Sequence, residues 1–429
     1  MRILPDFYNT NQSICSKNST LKEVLQHINH EPAGIAFITD EQKKLCGVIT
    51  DGDFRRLLLE EITLEDTIPS RSLGKFTSAK EGQTIEELIK KTNKIVRIIP
   101  ILNEHGYITD YFRYEHKTHI TPVAEPNLKG NEFKYLSDAF LSTWISSRGK
   151  YIDQFEENFS DYIGTKYGVT TSNGTTALHL ALAALEVGEG DEVIVPDLTF
   201  AATINCVLHA GATPVIVDVD KEYWTICPEE IEKAITPKTK AIIPVHLYGQ
   251  PADMDKIMSI AKAHDLYVVE DCAESHGATF NGQITGTFGD IACYSFFGNK
   301  IITTGEGGMC LTNDAHLDER MRILRDHGMS KTQKYWHEEV GYNYRITNLQ
   351  AAIGVAQLEK IDQILEERAS IELKYKHVLS DIPFLEWQKT DDTRRKKVVW
   401  LVTVIINEGK RDSLLKLLRE NRIDVRPFF

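Results

Sequence analysis

Beyond residue 133 the chain alternates short apolar, β-branched runs with amphipathic segments of helical period, and that rhythm restricts the fold more than any other feature. Helix is expected over residues 177–185 and 254–264, and strand over residues 192–195, 214–217, 241–245 and 266–270. Strands separated by helices form a mostly parallel sheet covered on both faces, which is a three-layer α/β architecture. The alternation stops near Arg368. A long charged helix over 349–375, a strand over 398–406 and a helix over 410–420 read as the start of a small α+β C-terminal domain. The expected division is therefore a large domain over 133–368 and a small one over 369–429.

The front of the chain carries a weak internal repeat. Leu45-Cys46-Gly47-Val48-Ile49-Thr50-Asp51-Gly52-Asp53-Phe54-Arg55 is echoed by His105-Gly106-Tyr107-Ile108-Thr109-Asp110-Tyr111-Phe112-Arg113. Each copy follows an apolar strand (residues 34–39 and 98–102) and a helix-like stretch (21–28 and 84–91). This α-β-turn-β-α order over residues 1–118 resembles a tandem pair of CBS domains, an α+β module. The resemblance implies that Thr50 and Asp53 hold the ribose and phosphate of an adenine nucleotide. Phe112 stands near the place of the acid in the second copy, which implies at most one intact ligand site; a degenerate pair used for packing or assembly is the alternative. Residues 119–132, with Pro122 and Pro126 in a stretch of little periodicity, read as an interdomain linker.

Composition excludes several classes. A net charge of −13 over 429 residues, with no concentrated Lys/Arg, argues against nucleic acid or an anionic membrane as partner. The seven cysteines are scattered without a CxxC pair, so neither a zinc site nor a disulfide framework is expected, and a reducing cytoplasm fits best. No apolar run approaches the roughly 18 residues of a membrane span, and the first residues lack the apolar core of a signal peptide.

Three segments carry chemistry. Ser172-Asn173-Gly174-Thr175-Thr176 opens a helix, whose N-terminal amides suit a phosphate, although the same residues are ordinary helix caps. Asp271 ends the apolar run Tyr267-Val268-Val269-Glu270, where a carboxylate is costly without a cation beside it; a protonated pyridine would serve, and capping of the next turn is the alternative. Lys300 lies 29 residues further on, between Tyr294-Ser295-Phe296-Phe297-Gly298-Asn299 and the glycine-rich Thr303-Thr304-Gly305-Glu306-Gly307-Gly308. A lone lysine is ordinarily a solvated surface group, but this setting suits one that forms a Schiff base with pyridoxal 5′-phosphate.

These segments occur in order with Pro196-Asp197-Leu198-Thr199-Phe200, Val245-His246-Leu247-Tyr248-Gly249-Gln250, Asp271-Cys272-Ala273-Glu274 and Gly341-Tyr342-Asn343-Tyr344-Arg345-Ile346-Thr347-Asn348. Together they resemble the DegT/DnrJ/EryC1/StrS sugar aminotransferases, enzymes of fold type I that use pyridoxal phosphate, over about residues 133–429. The resemblance implies that Gly174, Thr175, Thr176 and Ser295 meet the cofactor phosphate. It implies further that Phe200 stacks on the ring, that Glu274 approaches the ring hydroxyl, and that Asn343, with Arg345 beside it, reaches the partner's cofactor across a homodimer interface. L-glutamate as donor and a nucleotide-linked 4-keto-6-deoxy sugar as acceptor follow from it, GDP-4-keto-6-deoxymannose being preferred over a UDP- or dTDP-linked sugar. Dehydratase relatives carry His at the lysine position, so Lys300 favours amino transfer. A non-catalytic nucleotide-sensing or assembly protein is the rival class. The relatives continue past Arg426-Pro427-Phe428-Phe429, so the small domain is expected to be incomplete here.

Overall fold

The computed structural model describes residues 14–30, 34–58, 60, 62–74, 76–93, 96–113, 120–390, 393–407 and 409–429. The chain separates into two compact units, Met1–Thr118 and His119–Phe429.

The first unit contains β1 (Ile14–Ser16), α1 (Leu21–His30), β2 (Ile35–Thr39), β3 (Leu45–Thr50), α2 (Asp51–Leu58), β4 (Ala79–Lys80), α3 (Ile85–Lys91), β5 (Ile98–Leu102) and β6 (Ile108–Arg113). It is a structural duplication. Each copy is a three-stranded sheet in which the first strand is parallel and the third antiparallel to the second. Helices α1 and α3 both start at a Thr that exchanges bonds with a Glu three residues on, Thr20 with Glu23 and Thr84 with Glu87. The turns match as well: Asp40 Oδ1 accepts from the amides of Gln42 and Lys44, and Asn103 Oδ1 from those of His105 and Tyr107. Phe37 and Tyr111, their rings 5.5 Å apart, join Ile35 and Leu45 in one cluster between the copies.

Strand register corrects the sequence echo. Ile35 pairs with Thr50 and Ile98 with Arg113, and both hairpins shift register at the same place, between Ile38 and Thr39 and between Ile101 and Leu102. Thr50 therefore corresponds to Arg113, and Phe112 to Ile49, a core position on the strand. The position equivalent to Asp53 lies outside the described residues. The echo misled because the Thr-Asp pair recurs four residues early, inside the strand.

The second unit runs α4 (Glu132–Leu141), α5 (Lys150–Ile163), β7 (Tyr167–Thr171), α6 (Gly174–Ala184), β8 (Glu192–Pro196), α7 (Ala201–His209), β9 (Thr213–Val217), α8 (Pro228–Ala234), β10 (Thr239–Ile242), α9 (Met254–His264) and β11 (Tyr267–Asp271). It continues through β12 (Thr279–Phe280), β13 (Gln283–Ile284), β14 (Ile291–Ser295), β15 (Gly308–Thr312), α10 (Ala315–Arg325), α11 (Asn348–Leu358), α12 (Ile361–Val378), β16 (Leu385–Trp387), β17 (Arg395–Lys396), β18 (Val404–Ile406) and α13 (Arg411–Glu420). Seven strands form the main sheet in the order β7-β15-β14-β11-β10-β8-β9. Every neighbouring pair is parallel except the two made by β15. This is the expected mixed α/β fold. One apolar cluster packs α6, α7 and α10 on the sheet, and another packs α5 and α11. In the second, Gly354 lies so close to the Phe155 ring that a Cβ would approach it to 2.7 Å.

Several expected boundaries move. The strand expected over 241–245 ends at Ile242, because Pro244 offers no amide to a ladder, and only an isolated bridge joins Val245 to Asp271. The single long helix over 349–375 is broken at Glu359–Lys360 into α11 and α12. There Lys360 bends to φ −124°, and its ammonium binds Glu132 (2.5 Å) and the Asn127 carbonyl (2.5 Å). The same bonds, with Gln357 Nε2 to Asn127 O (2.8 Å), tie residues 127–132 to the second unit, so the linker reading over 119–132 extends too far. Helix α12 also runs unbroken through Arg368, so the expected boundary at 368/369 falls inside a helix. Of the strand over 398–406 only Val404–Ile406 forms; Val398, Val399 and Trp400 are buried, and their backbone bonds go elsewhere, the Val398 amide to the Gly249 carbonyl and the Trp400 carbonyl to Arg368.

Candidate active site

The C-terminal ends of β11 and β14 present Asp271 and Ser295, and the turn after β14 presents Lys300. Pairing of Asp271 with Cys293 sets Ser295 just beyond it on the neighbouring strand. Lys300 is far from a solvated surface lysine: its side chain is 12% exposed, and Nζ lies 3.6 Å from Glu274 Oε1 and 3.9 Å from the centre of the Trp400 ring.

Asp271 is buried and forms no ion pair among the described residues. Its Oδ2 accepts from Thr203 Oγ1 (2.8 Å), which in turn meets Thr199 Oγ1 (2.8 Å), and its Oδ1 accepts from the Ala273 amide (3.2 Å). Burial raises its pKa against the opposing effect of these neutral donors. The Ala273 bond is the turn-capping contact considered from sequence. Thr203, in the middle of the first helical turn after Phe200, has no capping function and aims the other oxygen.

Glu274 is also buried. Desolvation pushes its carboxyl up to about 7, although Lys300 and the Tyr248 amide, which donates to Oε2 at 2.7 Å, oppose the rise. That amide is aimed by an unusual backbone, with Tyr248 left-handed at φ +53°. The following Gly249 has φ +83°, where a Cβ would come within 2.1 Å of the Val398 carbonyl. His246 anchors the same loop: its Nδ1 accepts from the Ala252 amide (3.1 Å), so Nε2 carries the proton and donates to Glu270 Oε2 (3.1 Å). His246, Glu270 and Cys272 place possible metal ligands within 4.8 Å of one another. Both imidazole nitrogens are engaged, however, and Glu270 already accepts from the amides of Gly286, Phe288 and Gly289, so the group reads as a saturated hydrogen-bond network.

At the N-terminus of α6, Asn173 and Thr176 form a reciprocal cap. Thr176 Oγ1 is spent on Asn173, accepting its amide and donating to its carbonyl (2.8 Å), and lies 3.2 Å from Ser172 Oγ. The amides of Gly174 and Thr175 have no acceptor within the helix. A Cβ on Gly174 would meet Ser295 Cβ at 2.8 Å, so the helix terminus and the end of β14 close on each other only because residue 174 is glycine. Phe200, 57% exposed, begins α7 and lies 5.6 Å from the ring of Phe429, which stacks on Tyr248. Asn343 is exposed and bonded to Arg345 Nε (3.0 Å), while Arg345 pairs with Asp326 (2.7 Å); no contact joins either to Lys300, Glu274 or Asp271 among the described residues.

In the first unit, Asp53 caps α2: Oδ2 accepts from the Thr50 hydroxyl (2.6 Å) and amide (3.0 Å), and Oδ1 from Arg56 (2.5 Å). These hydrogen bonds and the guanidinium outweigh its partial burial and hold its carboxyl below the usual range.

The second unit's geometry fits pyridoxal phosphate. A buried carboxylate without an ion pair among the described residues, a buried lysine and a helix N-terminus whose first amides have no acceptor within the helix are what its ring nitrogen, aldehyde and phosphate require. Sequence reading missed Thr203, Tyr248, Arg368 and Trp400. Tyr248 lay in a motif already noted, whereas nothing local distinguishes Trp400 from a strand residue.

Comparison with known proteins agrees. GDP-perosamine synthase of Caulobacter vibrioides is 49% identical over 310 residues, covering 72% of this chain and 84% of that protein. The enzyme of the same name from Escherichia coli O157:H7 is 46% identical over 309 residues, with the same coverage of 72% and 84%. Among solved structures, DesV of S. venezuelae superposes with a TM-score of 0.65 at 38% identity, covering 68% of this chain and 78% of that one. Among the described residues no helix is long and apolar enough to cross a membrane. Residues 6–60 match the CBS domain, and residues 126–429 match the DegT/DnrJ/EryC1/StrS aminotransferase family. The chain belongs to that family of pyridoxal-phosphate-dependent sugar aminotransferases and carries a CBS domain ahead of it.

Proposed function

We propose that the protein transfers the amino group of L-glutamate to C4 of a nucleotide-linked 4-keto-6-deoxy sugar, with GDP-4-keto-6-deoxymannose as acceptor and GDP-perosamine as product, for a surface polysaccharide or glycan. The observation that carries amino transfer is the Lys300 amine held 3.6 Å from the Glu274 carboxyl. The choice of sugar rests on the relatives named GDP-perosamine synthase.

Bound pyridoxal phosphate supplies an aldehyde for amine exchange and a protonated ring that accepts the electron pair left at the donor's Cα. Lys300 would hold the cofactor through its aldehyde, and its Nζ is the group that would hold and move a proton beside the reacting carbon. Glu274 stands within reach of the same amine and, being near neutrality, holds or returns a proton there. Asp271, aimed by Thr203 and buried, would hold the ring nitrogen and keep it protonated. Gly174, Thr175 and Ser295 line the phosphate cradle, with Thr176 shaping it through the helix cap, and Phe200 covers the ring. The segment that carries the seven-stranded sheet forms the cofactor-binding region, and the residues after α12 begin the small domain. Asn343 completes a second subunit's site in a homodimer, and residues 1–118 form a paired CBS module that takes an adenine nucleotide at Thr50 and Asp53.

The test is incubation with L-glutamate and a panel of GDP-, UDP- and dTDP-linked 4-keto-6-deoxy sugars, with 2-oxoglutarate release and the mass of the sugar product as readouts. Amination of only UDP- or dTDP-linked sugars would replace the proposed acceptor, and no 2-oxoglutarate with any sugar would remove glutamate as donor.

A further inference from the structure

Lys300 lies in an irregular turn on a flexible four-carbon side chain, so something outside the turn must hold its amine in place. Two residues distant in sequence do so. The Trp400 indole touches the lysine turn twice: Nε1 donates to Asn299 O (2.9 Å), and the ring face receives Lys300 Nζ at 3.9 Å from its centre. Arg368, on α12, spans the same pair of segments, donating through Nη1 to Trp400 O (2.5 Å) and through Nη2 to Lys300 O (3.3 Å). Arg368 has no carboxylate partner among the described residues, and burial lowers its pKa. A guanidinium desolvated for two carbonyl bonds is an arrangement that fixes geometry at a cost in solvation. Tyr248, whose amide aims Glu274, stacks on Trp400 at 5.8 Å and 13°, so the indole adjoins both the lysine and the loop that orients its carboxyl neighbour.

We infer that Trp400 and Arg368 are positioning residues for Lys300: the indole face is the platform on which the amine rests whenever it is not bonded to the cofactor, and Arg368 locks that platform to the lysine turn. The inference rests on the assignment of Lys300 as the cofactor-bonding amine. In the step concerned, the Lys300 nitrogen bonds the aldehyde carbon of pyridoxal phosphate and the aldehyde oxygen leaves as water, with no change of oxidation state. An amine held against the ring and beside Glu274 begins that step from one place instead of many.

The experiment uses the full chain stripped of cofactor and pyridoxal phosphate as probe. Covalent capture is followed by absorbance and located by borohydride reduction and peptide mass. Noncovalent affinity is measured separately in a Lys300→Ala background. Trp400→Leu is expected to slow capture about tenfold, because the amine then starts from many positions instead of one, while leaving the noncovalent affinity unchanged. Trp400→Phe, which keeps a ring face but not the N–H, is expected to restore most of the rate. Capture by Trp400→Leu at the wild-type rate, or equal slowing in the Phe and Leu variants, overturns the platform. Should Trp400→Leu fail to fold, Arg368→Gln tests the same lock: slower capture with retained affinity supports it, and unchanged capture overturns it. Wild-type protein that binds the probe without any bond to Lys300 overturns the lysine assignment and this inference with it, an outcome distinguishable from a defect confined to the variants.

Discussion

Lys300 Nζ and Glu274 Oε1 stand 3.6 Å apart in a pocket where burial pushes the Glu274 carboxyl up to about 7. A carboxyl in that range can take or give a proton near neutral pH.

Glu274 gives a stability prediction with a definite sign. Its folded pKa of about 7 lies above the unfolded value of 4.5, so between those values the folded state binds more protons than the unfolded one. The carboxyl therefore destabilises the fold progressively as pH rises through that window. Glu274→Gln keeps an acceptor for the Tyr248 amide and removes the titration, so it is expected to match wild type at pH 4.5 and exceed it at pH 8 by at most about 3 kcal/mol. Denaturation midpoints of both proteins across this range are the measurement. An identical pH dependence would show that Glu274 is not the group responsible.

Replacing Lys300 by Ala is expected to abolish transamination while leaving the Gly174–Ser295 cradle intact. Pyridoxal phosphate should still bind, noncovalently. Wild-type turnover in this variant would end the assignment of Lys300, and equilibrium dialysis separates loss of chemistry from loss of the cradle.

Asp271→Asn is expected to preserve the fold and lower turnover by roughly two orders of magnitude or more, because a neutral amide cannot hold the ring nitrogen protonated. Thr203→Val should have a smaller effect of the same kind, about tenfold, through loss of the bond at 2.8 Å that aims Oδ2. Near-normal rates for Asp271→Asn would leave only the Ala273 turn contact as its purpose.

The main sheet was legible because its strands, such as residues 192–196 and 267–271, are short apolar runs of the kind that only a sheet covered on both faces accommodates. Lys300 and Asp271 stood out because each is an ionisable group beside apolar runs, whereas Glu274 came only from the family resemblance. The break between α11 and α12 was not legible, since it depends on Lys360 reaching Glu132 and Asn127, more than two hundred residues away in sequence. Trp400 was hidden for a similar reason. Its neighbours Val398 and Val399 have strand propensity, but tertiary burial and the Arg368 and Asn299 bonds override it.

Asn343 is exposed and, among the described residues, bonds neither Lys300, Glu274 nor Asp271. If it serves a partner's cofactor, each subunit alone is incomplete, and activity should fall on dilution in step with dissociation of a dimer. Sedimentation at assay concentrations checks this: a fully active monomer rejects the arrangement.

The CBS unit gives the last prediction. Asp53 already accepts from the Thr50 hydroxyl and from Arg56, bonds that preorganise the carboxylate at the start of α2 and keep it ionised. The family resemblance assigns Thr50 and Asp53 to a ribose-phosphate, and Arg113 replaces Thr50 in the duplicate. One adenine nucleotide should therefore bind per chain, and Asp53→Ala should weaken it about tenfold or more by removing both the ribose acceptor and the cap. Calorimetry with AMP and ATP on the full chain and on the variant is the measurement. A nucleotide that shifts aminotransferase rate must bind one state of the enzyme better than another, so activity assays with saturating nucleotide belong beside the calorimetry. Two sites per chain would contradict the register, and equal affinity in wild type and variant would leave the Thr50–Asp53 bond a helix cap and nothing more.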